Sequence, residues 1–145
     1  MSVGTSDERR TPNRLGLRFL LMRQIEVARS GALKAGDSTQ GIVRERAFED
    51  EDVVVSQSRV APRVVSGWHH HGARRLYGYV VSGRLRLEYG PEGTEAVEAT
   101  AGDFFRIPRN VVHRDVNPDE GQEAVIVNIL VGGGPAVVNV SSPNG

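Results

Sequence analysis

GDFFRIPRNVVHRDVN, running from Gly102 to Asn117, contains two short extended runs parted by turn residues. Ala101-Gly102-Asp103 turns the chain into Phe104–Pro108, and Pro108-Arg109-Asn110 turns it again before Val111–Val116. Glycine, proline, asparagine and aspartate mark such turns because they admit left-handed backbone, fix φ, or bond their own main chain. Neither run is long enough for a helix, and both carry β-branched or aromatic residues, so each reads as a strand. Asn117-Pro118-Asp119-Glu120-Gly121 closes the stretch with another strong turn.

The same punctuation recurs on both sides. Upstream, Glu51–Val60 holds the β-branched run Val53-Val54-Val55 and stops at Ala61-Pro62, and Arg63–His71 is a further extended stretch. Leu76–Val81, Ser82-Gly83 and Arg84–Tyr89 read as a hairpin. Its second strand alternates, with Leu85, Leu87 and Tyr89 on one face and Arg84, Arg86 and Glu88 on the other. Thr94–Ala99, Glu123–Val131 and Ala136–Val140 complete the set. Only a weak helical signal precedes Gly31. The fold class is therefore all-β, a sandwich or barrel of short strands.

The histidines number four: His69, His70, His71 and His113. On an extended segment successive side chains point to opposite faces, so His69 and His71 share one face and His70 takes the other. A pair at i and i+2 sets two imidazoles side by side, as one divalent metal requires. A third ligand must come from another strand, and His113 is the histidine left to supply it. A run of three histidines is also what an exposed loop can carry at no cost, so the run alone does not make a site. Trp68 falls on the His70 face and reads as a packing residue.

The spacing around His113 adds weight. Gly102, five residues, Pro108, one residue, Asn110, two residues, His113, three residues and Asn117 resemble the second sequence motif of the cupins, G-x5-P-x-G-x2-H-x3-N. Asparagine replaces only the second glycine, and it tolerates the left-handed region. WHHHGARRLYGYVVSG resembles the first cupin motif, with His69 and His71 at its histidine pair and Gly83 at its closing glycine. The resemblance spans about residues 41 to 140. It implies a double-stranded β-helix, a jelly-roll barrel.

Two departures fall in the first motif. Its leading glycine is Arg63, and its acid, a glutamate in most cupins, falls at Arg75 or Leu76. Neither can bind a metal. A guanidinium pointing inward at ~4 Å, with an effective dielectric of about 20, would repel each unit of like charge by roughly 4 kcal/mol. Arg75 is long enough to reach solvent, and is expected to turn outward.

The resemblance then implies one divalent transition metal (Zn, Fe, Ni, Cu or Mn) held by His69, His71 and His113 without the usual glutamate. Arg75, Tyr77 and Phe105 are the candidates for contacts to a small organic ligand or substrate. Such a centre suits a dioxygenase, an isomerase or a lyase. A non-enzymatic binder or sensor with a vestigial site is the alternative, and an interaction module a third. No residue stands out as nucleophile or general base. Glu88 and Asp103, the acids singled out beside the motif strands, read as structural, Asp103 as the bonding partner of its own turn.

Composition bounds the rest. The chain of 145 residues carries 18 basic and 18 acidic side chains, so it shows no electrostatic footprint for nucleic acid or an anionic membrane. It has no cysteine, which excludes disulfides, thiolate metal sites and a cysteine nucleophile. Leu15–Met22 is too short for a membrane span and is broken by Arg18. A cytoplasmic protein is expected. Residues 1–21 read as a poorly ordered extension and 22–145 as a single domain. The segment from Met22 to Val43 is the candidate to pair with a second copy as a homodimer, covering a sheet edge.

Overall fold

The computed structural model describes residues 23–145 together with Arg14 and Gly16. The extension read over residues 1–21 therefore lies, those two apart, outside the described residues. Turn chemistry divides the described chain into β1 (Lys34–Ala35), β2 (Val43–Glu49), β3 (Val53–Val60), β4 (His69–His70), β5 (Arg75–Ser82) and β6 (Arg84–Tyr89). There follow β7 (Glu95–Thr100), β8 (Phe104–Ile107), β9 (His113–Val116), β10 (Ala124–Val131) and β11 (Val138–Asn139). The helical signal before Gly31 yields a single 3-10 turn, Ser30–Ala32. Among the described residues no helix is long and apolar enough to cross a membrane.

The strands form two antiparallel sheets, β1-β2-β3-β10-β5-β8 and β11-β4-β9-β6-β7. This is the jelly-roll arrangement, with both inner faces turned to one interior. Alternation decides what enters it. Val54, Ser56, Ser58 and Val60 of β3, Leu76 and Val80 of β5, and Ala124, Ile126, Asn128 and Leu130 of β10 point inward. Val60, Val80, Leu85 and Ile126 are at most 1% exposed. Burying a side chain of this size stabilises a fold by roughly 1.5–3 kcal/mol. The interior is not apolar throughout, for Ser56, Ser58 and Asn128 face it from the larger sheet, and Asn128 donates to Ser58 at 3.0 Å.

The turn at Ser82-Gly83 is not a hairpin. β5 pairs with β8 and β10, whereas β6 pairs with β7 and β9, so the chain crosses here from one sheet to the other. Gly83 has φ 79°, and a Cβ there would stand 2.5 Å from the Glu123 carbonyl oxygen and 2.9 Å from the Ala124 Cα. A left-handed residue lying against backbone makes a corner between sheets, which the local pattern cannot distinguish from a hairpin turn. The extended stretch Arg63–His71 also shortens, to His69–His70 plus a bridge from Val65 to Val116. Finally, β1 pairs with β2 of its own chain, Lys34 opposite Arg46.

Candidate metal centre

β4 and β9 are neighbours, and their Cα register sets His69 opposite His113. Backbone bonds zip the segments together around that pair. Ser66 donates to the Asp115 carbonyl at 2.8 Å, Asn117 to Val64 at 2.9 Å, and Asn110 to Gly72 at 2.9 Å. Asn110 holds φ 59°, the left-handed conformation expected at the motif's altered glycine. Arg63, where the first motif's glycine falls, keeps a left-handed φ of 64° as well. Asn117 is fully buried; its Nδ2 donates to Val60 at 3.0 Å and Gln122 at 2.8 Å, and its Oδ1 accepts from Asp119 at 2.9 Å. The motif asparagine thus ties the end of β3 to the turn that leaves β9.

The structure brings His69, His71 and His113 together, all buried, with ligand atoms within 4.8 Å of one another. Each ring is fixed from behind. His69 Nδ1 meets the Gly67 carbonyl at 2.9 Å, His71 Nδ1 that of Ala136 at 2.8 Å, and His113 Nδ1 that of Val111 at 2.9 Å. A carbonyl only accepts, so each Nδ1 carries the proton and each Nε2 presents a lone pair. Metal-bound histidines show this backing by an acceptor, which fixes tautomer and ring orientation. Burial pushes the imidazoles down from 6.5, His69 and His71 to about 3 and His113 to about 4. They are therefore neutral at physiological pH, the form a metal needs. His70 lies on the other face and accepts from the Gly72 N–H.

Sequence reading does not pick out two further residues here. Asp115, two positions after His113, points inward by the alternation that turns His113 inward. Its Oδ1 lies 3.6 Å from His69 Nε2 and 3.8 Å from His113 Nε2. Burial pushes its carboxyl up, against the opposing pull of His113 and Arg44. Arg44, two positions after buried Ile42, enters the same cavity from β2. Its Nη1 donates to Thr39 Oγ1 at 2.7 Å and the Asp37 carbonyl at 3.2 Å, and burial lowers its pKa. Counting by two from His113 and from Ile42 is the signal that finds both.

Of the residues expected to contact a small molecule, only Phe105 lines the cavity. Its ring covers Gly78, where a Cβ would collide with it. Arg75 and Tyr77 lie on the outer face of β5, whose pattern buries Leu76 and Gly78 instead. Parity settles this: β5 sends one residue in and the next out. Glu88 pairs with Arg114 at 2.7 Å and Arg86 at 3.2 Å, and Asp103 accepts from the Thr100 N–H at 2.8 Å. Trp68 lies under the Arg114 guanidinium, 4.5 Å from ring to charge. The cavity among the histidines, Asp115 and Arg44 measures about 30 Å³. That is room for one or two waters or an ion, not for an organic molecule.

The buried His71 Nε2 and Asp115 Oδ1 have no hydrogen-bond partner. Unpaired buried polar atoms are rare and costly, and two in one cavity fit a cation between them. Three neutral nitrogens and an oxygen suit a divalent transition metal.

Comparison with known proteins agrees with the fold. A double-stranded β-helix protein from Klebsiella pneumoniae is similar with a TM-score of 0.62 at 19% identity, covering 74% of this chain and 91% of that one. The polyketide cyclase RemF from Streptomyces resistomycificus gives 0.65 at 20% identity, over 81% of this chain and 86% of its own. Oxalate decarboxylase from Bacillus subtilis gives 0.61 at 19% identity, but this chain matches only 30% of its length. No curated protein matches. The family described as "Cupin domain" matches residues 56–130, more than half of the chain. This chain belongs to the cupin family.

Proposed function

We propose that this cupin holds one divalent transition metal at His69, His71 and His113 and uses it to bind and transform a small organic acid. The observation that carries the reading is the convergence of three buried Nε2 lone pairs, each backed by a carbonyl at its Nδ1. When bound, the metal supplies a Lewis acid with positions open to water, dioxygen or a chelating oxygen. Arg44 supports an acidic substrate: it is a buried guanidinium, braced by Thr39 and Asp37, on the wall of the same cavity. It would pair with a carboxylate, the role that sequence reading gave to Arg75. The small cavity means that the substrate's acidic head, rather than its body, enters. Dioxygenase, isomerase and lyase chemistry all fit this arrangement. A polyketide cyclase and oxalate decarboxylase among the similar folds suggest oxygenated substrates for a first panel.

Metal analysis of untagged protein tests the reading. One equivalent per chain, with a melting temperature that falls on chelation, is the expected result. Substoichiometric metal and an unchanged melting temperature on chelation refute it. Stoichiometric metal with no turnover of keto-acids, diketones or sugars would favour a binder or sensor.

We also read the protein as a cytoplasmic homodimer. The support is the outer face of the larger sheet, where exposed Tyr77 sits opposite Ile129 and exposed Tyr79 opposite Phe104. Contiguous apolar surface of this kind marks an interface. A monomer by gel filtration with light scattering, at micromolar concentration, refutes the dimer.

A further inference from the structure

We infer that Asp115 is a fourth protein ligand of the metal, a carboxylate supplied by β9 in place of the acid missing from the first motif. The inference rests on the metal-centre reading above and adds to it a residue outside the histidine triad. Three observations carry it. Asp115 Oδ1 stands 3.6 Å and 3.8 Å from the Nε2 atoms of His69 and His113, too far for hydrogen bonds. Ligands of a tetrahedral zinc, each about 2.0–2.1 Å from the ion, stand about 3.3 Å apart, so these separations approach those of two atoms sharing one cation. Oδ1 is buried and without a hydrogen-bond partner, as is His71 Nε2 across the cavity.

Charge points the same way. Three neutral imidazoles leave a divalent ion uncompensated, and Arg44 adds a further positive charge to the cavity wall. Asp115 is the acidic side chain buried beside the triad, and one carboxylate offsets part of both. The main chain of Asp115 needs no help from its carboxylate to stay in place: its N–H donates to Ser66 Oγ at 2.8 Å, and its carbonyl accepts from Ser66 N at 2.8 Å. The carboxylate is thus free for a ligand. It is a burden to the fold when nothing sits beside it.

Asp115→Asn tests this, because the amide keeps the shape and removes the charge. Zn²⁺ affinity is measured by competition with a chelator, and Co²⁺ geometry by the visible ligand-field spectrum. The expected results are a loss of about a hundredfold or more in Zn²⁺ affinity, since losing even an outer partner costs up to that, and a changed Co²⁺ spectrum. Metal-free D115N should melt at or above metal-free wild type, because an unpaired buried charge is gone. Affinity within threefold of wild type with an unchanged Co²⁺ spectrum overturns the inference and leaves the three-histidine reading intact. A metal-free variant that melts lower, or does not fold, assigns Asp115 to the fold and also overturns it. Wild type that takes up neither ion refutes the metal centre itself.

Discussion

The metal-free protein should lose stability steeply as pH falls below about 6.5. Burial holds His69 and His71 at about 3 and His113 at about 4, where the unfolded chain has 6.5 for each. Between those limits the unfolded chain takes up three protons that the folded chain refuses. Stability is then fully present above the unfolded value and is lost as pH falls toward the folded ones. Each histidine contributes a slope approaching roughly 1.4 kcal/mol per pH unit. Asp115 has the opposite sign: with its carboxyl pushed up, the folded state keeps a proton that the unfolded state lacks, which offsets up to one histidine. The net loss is about 2 to 3 kcal/mol between pH 6.5 and 5.5, and about 3 kcal/mol more by pH 4.5. That is a large share of the 5–15 kcal/mol typical of a domain. Urea unfolding in the presence of a chelator, followed by the fluorescence of Trp68, measures it. Excess Zn²⁺ at pH 7.5 should raise the midpoint, because only the folded chain presents the three nitrogens together. Coincident chelated midpoints from pH 6.5 to 4.5 would show that the folded histidines protonate freely, and the buried triad would then be wrong.

Three substitutions probe the scaffold by the same assay. Asn117→Ala removes three buried hydrogen bonds and leaves the Val60 and Gln122 carbonyls unpaired, and should cost about 3 kcal/mol; a loss below about 1 kcal/mol contradicts the tie described for this residue. Gly83→Ala forces a Cβ against the Glu123 carbonyl at φ 79°, and strain plus overlap should cost about 2 to 4 kcal/mol. An unchanged midpoint would mean that the corner relaxes freely. Arg63→Gly relieves a left-handed arginine and should gain about 0.5 to 1 kcal/mol after glycine's entropy is set against it. The exposed pair that it loses, Arg63 to Glu120 at 3.2 Å, weighs little, so a net destabilisation would refute the account.

What was legible in the sequence was local or periodic. Turn residues mark the strands well because glycine, proline and asparagine act over two or three positions. His69, His71 and His113 follow from a period of two plus one motif. Sheet membership is another matter, as Ser82-Gly83 shows. A glycine corner between sheets and a hairpin turn look alike locally, and the clash with Glu123 comes from a residue 40 positions away. The outward direction of Arg75 follows from parity with Leu76, yet the inward guanidinium on β2 needs the register of Ile42. Asp115 escaped notice for a different reason. The search for an acid follows the first motif, where Arg75 and Leu76 stand, and stops before the strand that carries His113.

That misdirection bears on how a missing ligand should be weighed. A motif records which chain position supplies a group, whereas a metal responds only to where the atoms arrive. Here β4 and β9 lie side by side with His69 opposite His113, so inward side chains on either strand converge on one cavity. On the strand that follows the first motif's pair, the candidate acid positions hold an outward arginine and a core leucine. On β9 the next inward position after His113 holds a buried carboxylate with an unpaired oxygen. A retired site would have no reason to keep such a group, because an unpaired buried carboxylate destabilises the fold wherever no cation compensates it. The substitution at Arg75 therefore does not count against a working centre until Asp115 is taken with it.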